Sequence, residues 1–229
     1  MFRMKCFSLS IMAFSLLIAG NLNAQSINLN SGNLEAVNVR ISFEKMNSKN
    51  AVKAIKDSSI KEFDEPTFIK IKNLNFQNGT IEVKVLSKLL KNVPAFARGF
   101  IGIAFRINDD NTKYESIYLR PTNARAGDQV RRNHSIQYYS YPDYKFDRLR
   151  KESPEKYESY SDMEMGKWIT MRIEVKGSVA KLFLGNNTQP SLIVTDLKHG
   201  ADISGSIGLW VDIGTEGYFS DLKINTEKY

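Results

Sequence analysis

Between positions 118 and 160 the chain gathers an unusual density of planar hydrogen-bonding side chains. Tyr118, Arg120, Asn123, Arg125, Asp128, Gln129, Arg131, Arg132, Asn133, His134 and Gln137 are followed by a run of tyrosines from Tyr138 to Tyr160. A guanidinium presents a rigid fork of donors suited to vicinal hydroxyls or carboxylates, and a phenol offers an apolar ring face with a hydroxyl at its edge. Carbohydrate recognition requires that mixture. Glycoside cleavage would need more, namely two carboxylates flanking the scissile bond. Asp128, Glu158, Asp212 and Glu216 are the acids to test for it, and none stands in a motif that singles it out.

Each of these residues also has a purely structural reading. Arg120-Pro121-Thr122-Asn123 can simply leave a strand, with Arg120 paired to an acid and Asn123 satisfying loop backbone. Arg131-Arg132 reads more readily as a solvated or ion-paired loop than as an anion site. His134 stands far in sequence from His199, the other histidine, so a metal pair is disfavoured and no metal ligands are assigned. The tyrosines of 138–160 can equally cover a long excursion across a sheet, and Trp210 can lie packed under a loop.

The elements that must position these residues are strands. In 100–107, Ile101, Ile103, Phe105 and Ile107 fall on one face while Gly102, Ala104 and Arg106 fall on the other. Asp109-Asp110-Asn111 supplies turn chemistry, and 114–120 resumes with Ile117 and Leu119 apolar and Tyr118 and Arg120 opposite. Residues 168–175 alternate in the same way, and Lys176-Gly177-Ser178 turns them into 179–184, the clearest hairpin in the chain. Residues 37–43, 51–55, 67–71 and 80–85 each fit a strand, and so do 207–213 and 217–225. The only helix candidates are short, 87–92 and 147–155. About a dozen strands with few helices predict an all-β, two-sheet antiparallel sandwich. Strand parity then selects a binding groove of Arg106, Tyr118, Arg120, Gln137, Tyr139 and Trp210, all expected to face away from the core, and Asn123 is a further ligand-binding candidate.

The ends and the composition narrow the class. Arg3 and Lys5, an apolar run over 11–19 and the small residue Ala24 before Gln25 have the layout of a secretory leader, so residues 1–24 are read as a cleaved signal peptide. The apolar run is about half of the roughly 20 residues that a membrane-spanning helix needs, so no transmembrane anchor is expected after cleavage. Residues 25–33 read as a flexible mature N-terminus and 34–229 as a single domain in the periplasm or outside the cell. The one cysteine, Cys6, lies within the leader, which removes disulfides, zinc–thiolate sites and thiol nucleophiles from the mature chain. Losing Arg3 and Lys5 takes the 32 basic residues to 30, against 25 acidic ones. That excess is dispersed, and nucleic acid is not an expected partner.

Five stretches occur in a telling order: FQNGTIEVKV, RGFIGIAFRI, YESIYLRPTNARAGDQVRRNHSIQYYSYPDY, KWITMRIEVKGSVAKLFL and GSIGLWVDIGTEGYFSDLKI. Over 34–224 they resemble laminin-G-type members of the concanavalin A-like lectin/glucanase superfamily. The resemblance implies two curved antiparallel sheets in a jelly roll, with ligands bound on the concave face or at its rim. Some exported bacterial members are fused to glycosidases and others are described as hydrolases of oxidised disaccharides, so the resemblance does not imply one activity. Glycosidases of the superfamily carry Glu-x-Asp-x-x-Glu or Glu-x-Asp-x-Glu on one strand. The nearest string here, Glu62-Phe63-Asp64-Glu65-Pro66, lacks the third acid and contains a proline ill suited to a central strand. Loop-bridging calcium is common in the superfamily, yet the acid-rich loop at Asp109-Asp110 lacks a full ligand ladder. No other cofactor is expected. The leading expectation is a carbohydrate-binding, lectin-like domain for a glycan or glycoside. A glycoside hydrolase working in the same groove comes second, and a structural or adhesion domain third.

Overall fold

The computed structural model describes residues 24–227. Apart from Ala24, the leader expected over 1–24 lies outside the described residues. In chain order the elements are β1 (Gln25–Ser26), β2 (Leu34–Val37), β3 (Val39–Met46), β4 (Lys49–Lys56), β5 (Phe68–Ile71), β6 (Gly79–Leu89), β7 (Ile101–Ile107), β8 (Tyr114–Leu119), α1 (Pro121–Ala124), α2 (Gln129–Asn133), β9 (Ile136–Tyr141), α3 (Phe146–Glu152), β10 (Glu158–Ser159), β11 (Ile169–Lys176), β12 (Val179–Leu184), β13 (Leu192–Val194), β14 (Ser206–Val211) and β15 (Thr215–Thr226). They form two antiparallel sheets packed as a β-sandwich. The eight-stranded sheet runs β13-β12-β11-β6-β15-β4-β3 with β1 attached to β15, and the seven-stranded sheet runs β10-β9-β8-β7-β14-β5-β2.

Both expected hairpins form. Lys176 pairs with Val179 across a turn whose Gly177 adopts φ 57°, a conformation glycine enters without steric cost. Ile101 pairs with Leu119 and Phe105 with Glu115 in the β7–β8 hairpin. The segment 87–92 is not a helix. β6 runs on to Leu89 because Leu86 to Leu89 pair with Tyr218 to Thr215 of β15, and that ladder outweighs the weak helical preference of leucine and lysine. Gln25 and Ser26, expected within a flexible tail, pair with Ile224 and Lys223, and Ile27 and Leu29 pack on the core.

The inter-sheet core joins Ile81, Val83 and Val85 of β6 and Met171 and Ile173 of β11 to Ile101, Ile103, Ile117 and Leu209 of the opposite sheet. The sheets approach so closely at Gly217 that a Cβ there would fall 2.4 Å from Val211 Cγ1. Beyond this shared core the two sheets differ. β6 and β11 alternate buried with half-buried positions, as a sheet with one wet face should. Every residue of β7, β8 and β14 is buried. The central strands of the seven-stranded sheet are therefore covered on both faces, and the coverings on its outer face shape a pocket at one end.

Alternation fails at Arg106. Between Ala104 and Ile107 the ladder with β14 slips by one residue, and Arg106 takes φ 56°. This bulge swings its side chain off the face shared with Tyr118 and drives it across the end of the sandwich. The guanidinium there donates to the carbonyls of Gln77 (2.9 Å), Gly200 (2.8 Å) and Gly177 (2.8 Å). Arg106 is 1% exposed and ties three connections together, so it is not part of a ligand groove. Arg106→Ala leaves three partly buried carbonyls without that donor, empties the buried site of its side chain, and should lower unfolding stability by about 3 kcal/mol. Chemical denaturation checks this, and a loss below 1 kcal/mol would contradict the latch.

Candidate functional site

The outer face of the seven-stranded sheet carries a continuous aromatic layer. Register places Trp210, Gly102, Tyr118 and Gln137 in one cross-strand row, with Ser116 and Tyr139 in the next. A Cβ at Gly102 would sit 2.5 Å from that of Tyr118, so only glycine fits between its neighbours. The rings of Tyr118 and Trp210 then meet across it with centroids 4.7 Å apart, and Tyr139 packs against both at 5.7 and 5.5 Å. Phe100 extends the layer past Tyr118, and Tyr114 and Phe68 extend it the other way.

A strap formed by residues 57–66 lies over this layer, leading from β4 of one sheet to β5 of the other. Trp210 Nε1 donates to Glu65 O at 3.0 Å, and Tyr114 Oη lies 3.5 Å from Asp64 O. A buried polar network holds the strap down. Lys56 Nζ bonds Asp212 Oδ1 and Glu62 O, each at 2.5 Å, and Asp212 Oδ2 accepts the Asp64 N–H at 3.0 Å. Asp64 Oδ2 in turn accepts the Phe146 N–H at 2.7 Å, at the start of α3. Lys145 pairs with Glu65 beside it. Tyr139 and Trp210 are therefore fully buried. They lie on the side of the strand that alternation assigned them, but no sugar can stack on them.

The strap stops short of the end where Tyr118 and Arg120 emerge, and there a pocket of about 400 Å³ remains. One wall is aromatic. Phe63 of the strap stands edge-on to Phe96, Phe100 and Phe146 at 5.3 to 5.8 Å. The other wall is basic and polar, built from Arg98, Arg120, Asn123, Arg131, His134 and Arg150, with Tyr118 behind them. Arg120 is fixed from every side: Nη2 donates to Tyr118 Oη at 2.7 Å and Gln137 Oε1 at 3.2 Å, and Nη1 donates to Glu158 Oε1 and His134 O, both at 3.2 Å. The Phe146 ring lies between the Arg120 and Arg150 guanidiniums, 5.4 and 5.3 Å from its centroid. Burial alone would raise the Glu158 carboxyl, but Arg150 and Arg120 outweigh it and hold the group below its usual range. Burial, aided by Arg150 and Arg120 against the pull of Glu158, keeps His134 below its usual value and hence neutral at pH 7.

No family model matches the chain, and no curated protein sequence matches it. Solved structures match it in shape. A Bacillus subtilis protein of unknown function with a galectin-like fold covers 85% of this chain and 90% of its own at 8% identity and TM-score 0.51. A putative glycosyl hydrolase from Parabacteroides distasonis covers 86% and 89% at 12% identity and TM-score 0.50. A carbohydrate-binding module, CBM66 of Bacillus subtilis, covers 83% and 98% at 12% identity and TM-score 0.49. In fold, the chain is similar to galectin-like β-sandwiches.

Of the seven candidate binding residues, the sandwich brings Tyr118, Arg120 and Asn123 to the pocket and places Gln137 directly behind Arg120. Phe63, Phe96, Arg98, Phe100, Phe146 and Arg150 were not singled out. They sit in irregular segments or a short helix, where no periodicity marks a face. The four candidate acids do not converge. Asp128 caps α2 by accepting the Arg131 N–H, Asp212 is sealed under the strap, and Glu216 pairs with Lys53 on the other sheet. Glu158 borders the site but is engaged by Arg120 and Arg150. At the acid-rich loop, the Lys70 ammonium takes the Asn108 and Asp109 carbonyls and Asn111 Oδ1, the oxygens a cation would want.

Burial and then the neighbouring Asp212 push the Asp64 carboxyl up to about 7. A carboxyl whose pKa is raised by folding keeps a proton that the unfolded chain has released, so its contribution is intact at acid pH. That contribution is lost as pH climbs from about 4 through 7. Asp64→Asn should remove this component while keeping an acceptor for the Phe146 N–H. Against wild type, the variant should gain unfolding stability as pH rises from 4.5, reaching on the order of 4 kcal/mol above pH 7. A difference independent of pH would show that Asp64 does not titrate there.

Proposed function

We propose that this protein is an exported carbohydrate-binding domain that takes one end or one residue of a glycan or glycoside into the Phe63–Arg120 pocket. The observation that carries the reading is the pairing of a half-exposed phenylalanine wall with planar donors already held in place, in a cavity whose lining contains no carboxylate. An apolar ring face accommodates the C–H face of a pyranose, and fixed guanidinium and amide N–H groups donate to its hydroxyl oxygens. The sugar class itself comes from the laminin-G-type resemblance of the quoted stretches and, at the level of fold, from neighbours that include a putative glycosyl hydrolase. The pocket favours binding over cleavage because no two carboxylates flank it.

Export rests on the leader-like first 24 residues. Expressed with its full sequence in a bacterial host, the protein should accumulate outside the cytoplasm with Gln25 as its N-terminus. Terminal sequencing or intact mass settles this, and an uncleaved cytoplasmic product refutes it.

Glycan-array screening followed by calorimetry tests the binding site. Phe96 is 47% exposed, so Phe96→Ala should leave the fold intact. Removing its ring should weaken the best saccharide by about tenfold, the usual effect of losing one stacking aromatic. Product release from a panel of glycosides would move the reading from recognition to hydrolysis. Unchanged affinity in Phe96→Ala would place the sugar elsewhere.

A further inference from the structure

Basic side chains of the 118–160 excursion, taken together with Arg98, fall into two groups. Of those facing away from the pocket, Arg132 donates to Tyr160 Oη at 2.8 Å, and others have acids to hand. Arg125 is bound by Asp162 at 2.9 Å and Glu164 at 3.0 Å, and Arg148 by Glu152 at 2.8 Å. Those that converge on the pocket are unequally served. Glu158 is the one carboxylate among them, and Arg150 and Arg120 share it. Arg98 donates only to the carbonyls of Ala95 and Ala97, at 2.6 and 2.9 Å, and Arg131 only to the amide oxygen of Asn123, at 3.4 Å. Four guanidiniums thus surround one cavity with a single negative charge to balance them, and neutral His134 adds none. Burial, then Arg131 and Arg120, hold the Arg98 guanidinium below its usual value, as expected where like charges crowd a partly dry space.

A binding pocket for neutral sugars has no use for that excess. Serine, asparagine and glutamine donors would hold hydroxyls equally well, without gathering four like charges around one cavity. An anionic ligand group turns the same crowding into attraction, and free guanidinium forks suit planar or trigonal oxyanions. Resting on the sugar-binding reading above, we propose that the ligand is an acidic saccharide. A ring carboxylate or sulfate ester lies between Arg98 and Arg131, and the sugar ring packs on Phe63 and Phe96.

Calorimetry with matched pairs tests the inference: a uronic-acid oligosaccharide against its carboxyl-reduced counterpart, and a sulfated oligosaccharide against its desulfated one. At low ionic strength the acidic member of at least one pair should bind about tenfold or more tightly than its neutral partner. Which pair shows the larger ratio tells carboxylate from sulfate. Raising salt to 0.5 M should shrink that ratio. In Arg98→Gln/Arg131→Gln it should fall to about two. Arg148→Gln removes a positive charge outside the pocket and should leave the ratio unchanged. Equal affinity within both pairs overturns the anionic proposal while leaving the sugar pocket standing. If none of the four saccharides binds, whether or not inorganic sulfate does, the sugar-binding reading fails and the proposal with it.

Discussion

The buried ion pair between Lys56 and Asp212 sits at the junction on which the rest of the outer face depends. Two charges removed from water are costly unless every remaining donor and acceptor is met, and here the surroundings meet them. The ammonium also takes Glu62 O, and the second carboxylate oxygen takes the Asp64 N–H. Through Asp64 the chain of bonds continues to α3. Four separate pieces of the molecule are tied in sequence: the end of β4, the residue following β14, the strap and the helix that follows β9. With the strap held down, Trp210, Tyr139 and Tyr114 become a second core, and the open surface of the sheet shrinks to the pocket beside Phe63. Without it, the same rings would form a broad exposed aromatic face.

Burial on both faces of the seven-stranded sheet makes sense of the composition of the 118–160 stretch, because Tyr138, paired with Ile117, faces the opposite side from Tyr139. Tyrosines there do not wait for a ligand. Tyr138 bonds Glu115 at 2.6 Å and receives the Lys198 N–H, and Tyr157 bonds Asp196 at 2.7 Å. Each phenol carries a large apolar area into a layer that must also satisfy loop backbone and stray carboxylates, a combination phenylalanine cannot provide. The dense run of planar donors therefore divides into a structural majority and a small remainder that lines the pocket around Arg120.

Alternation carried the sequence a long way. It placed the 101–107/114–119 and 169–176/179–184 hairpins, put Ile101, Ile103 and Ile117 in the core, and set Tyr118, Gln137, Tyr139 and Trp210 on the opposite face. What it did not reveal has identifiable physical causes. Arg106 follows a one-residue bulge, and a single slip sends a side chain to the other face without leaving a mark in the periodicity. Exposure was misjudged because parity says which side of a sheet a residue occupies and nothing about what lies above it. The strap that buries Trp210 is some 145 residues away in sequence. Phe63, Phe96 and Arg98 occupy segments with neither helical nor strand period, where only the tertiary path brings them together. Asn123 and Arg120 were identified because they leave a strand whose parity was legible.

The same geometry separates recognition from hydrolysis more sharply than motif absence does. An acid able to donate a proton to a leaving group needs a raised pKa and a line of approach, and a second carboxylate must stand across the bond. Asp64 has the raised pKa, but its side chain is enclosed by the strap, Phe146 and Tyr118, so no substrate oxygen can reach it. Glu158 lies closer to solvent, but Arg150 and Arg120 hold it ionised and engage both of its oxygens. Freeing Glu158 would strand two guanidiniums beside the cavity, and exposing Asp64 would break the network that closes the aromatic layer. Each acid serves to hold up the pocket wall or the strap, and that leaves arginines and phenylalanines as the side chains lining the cavity.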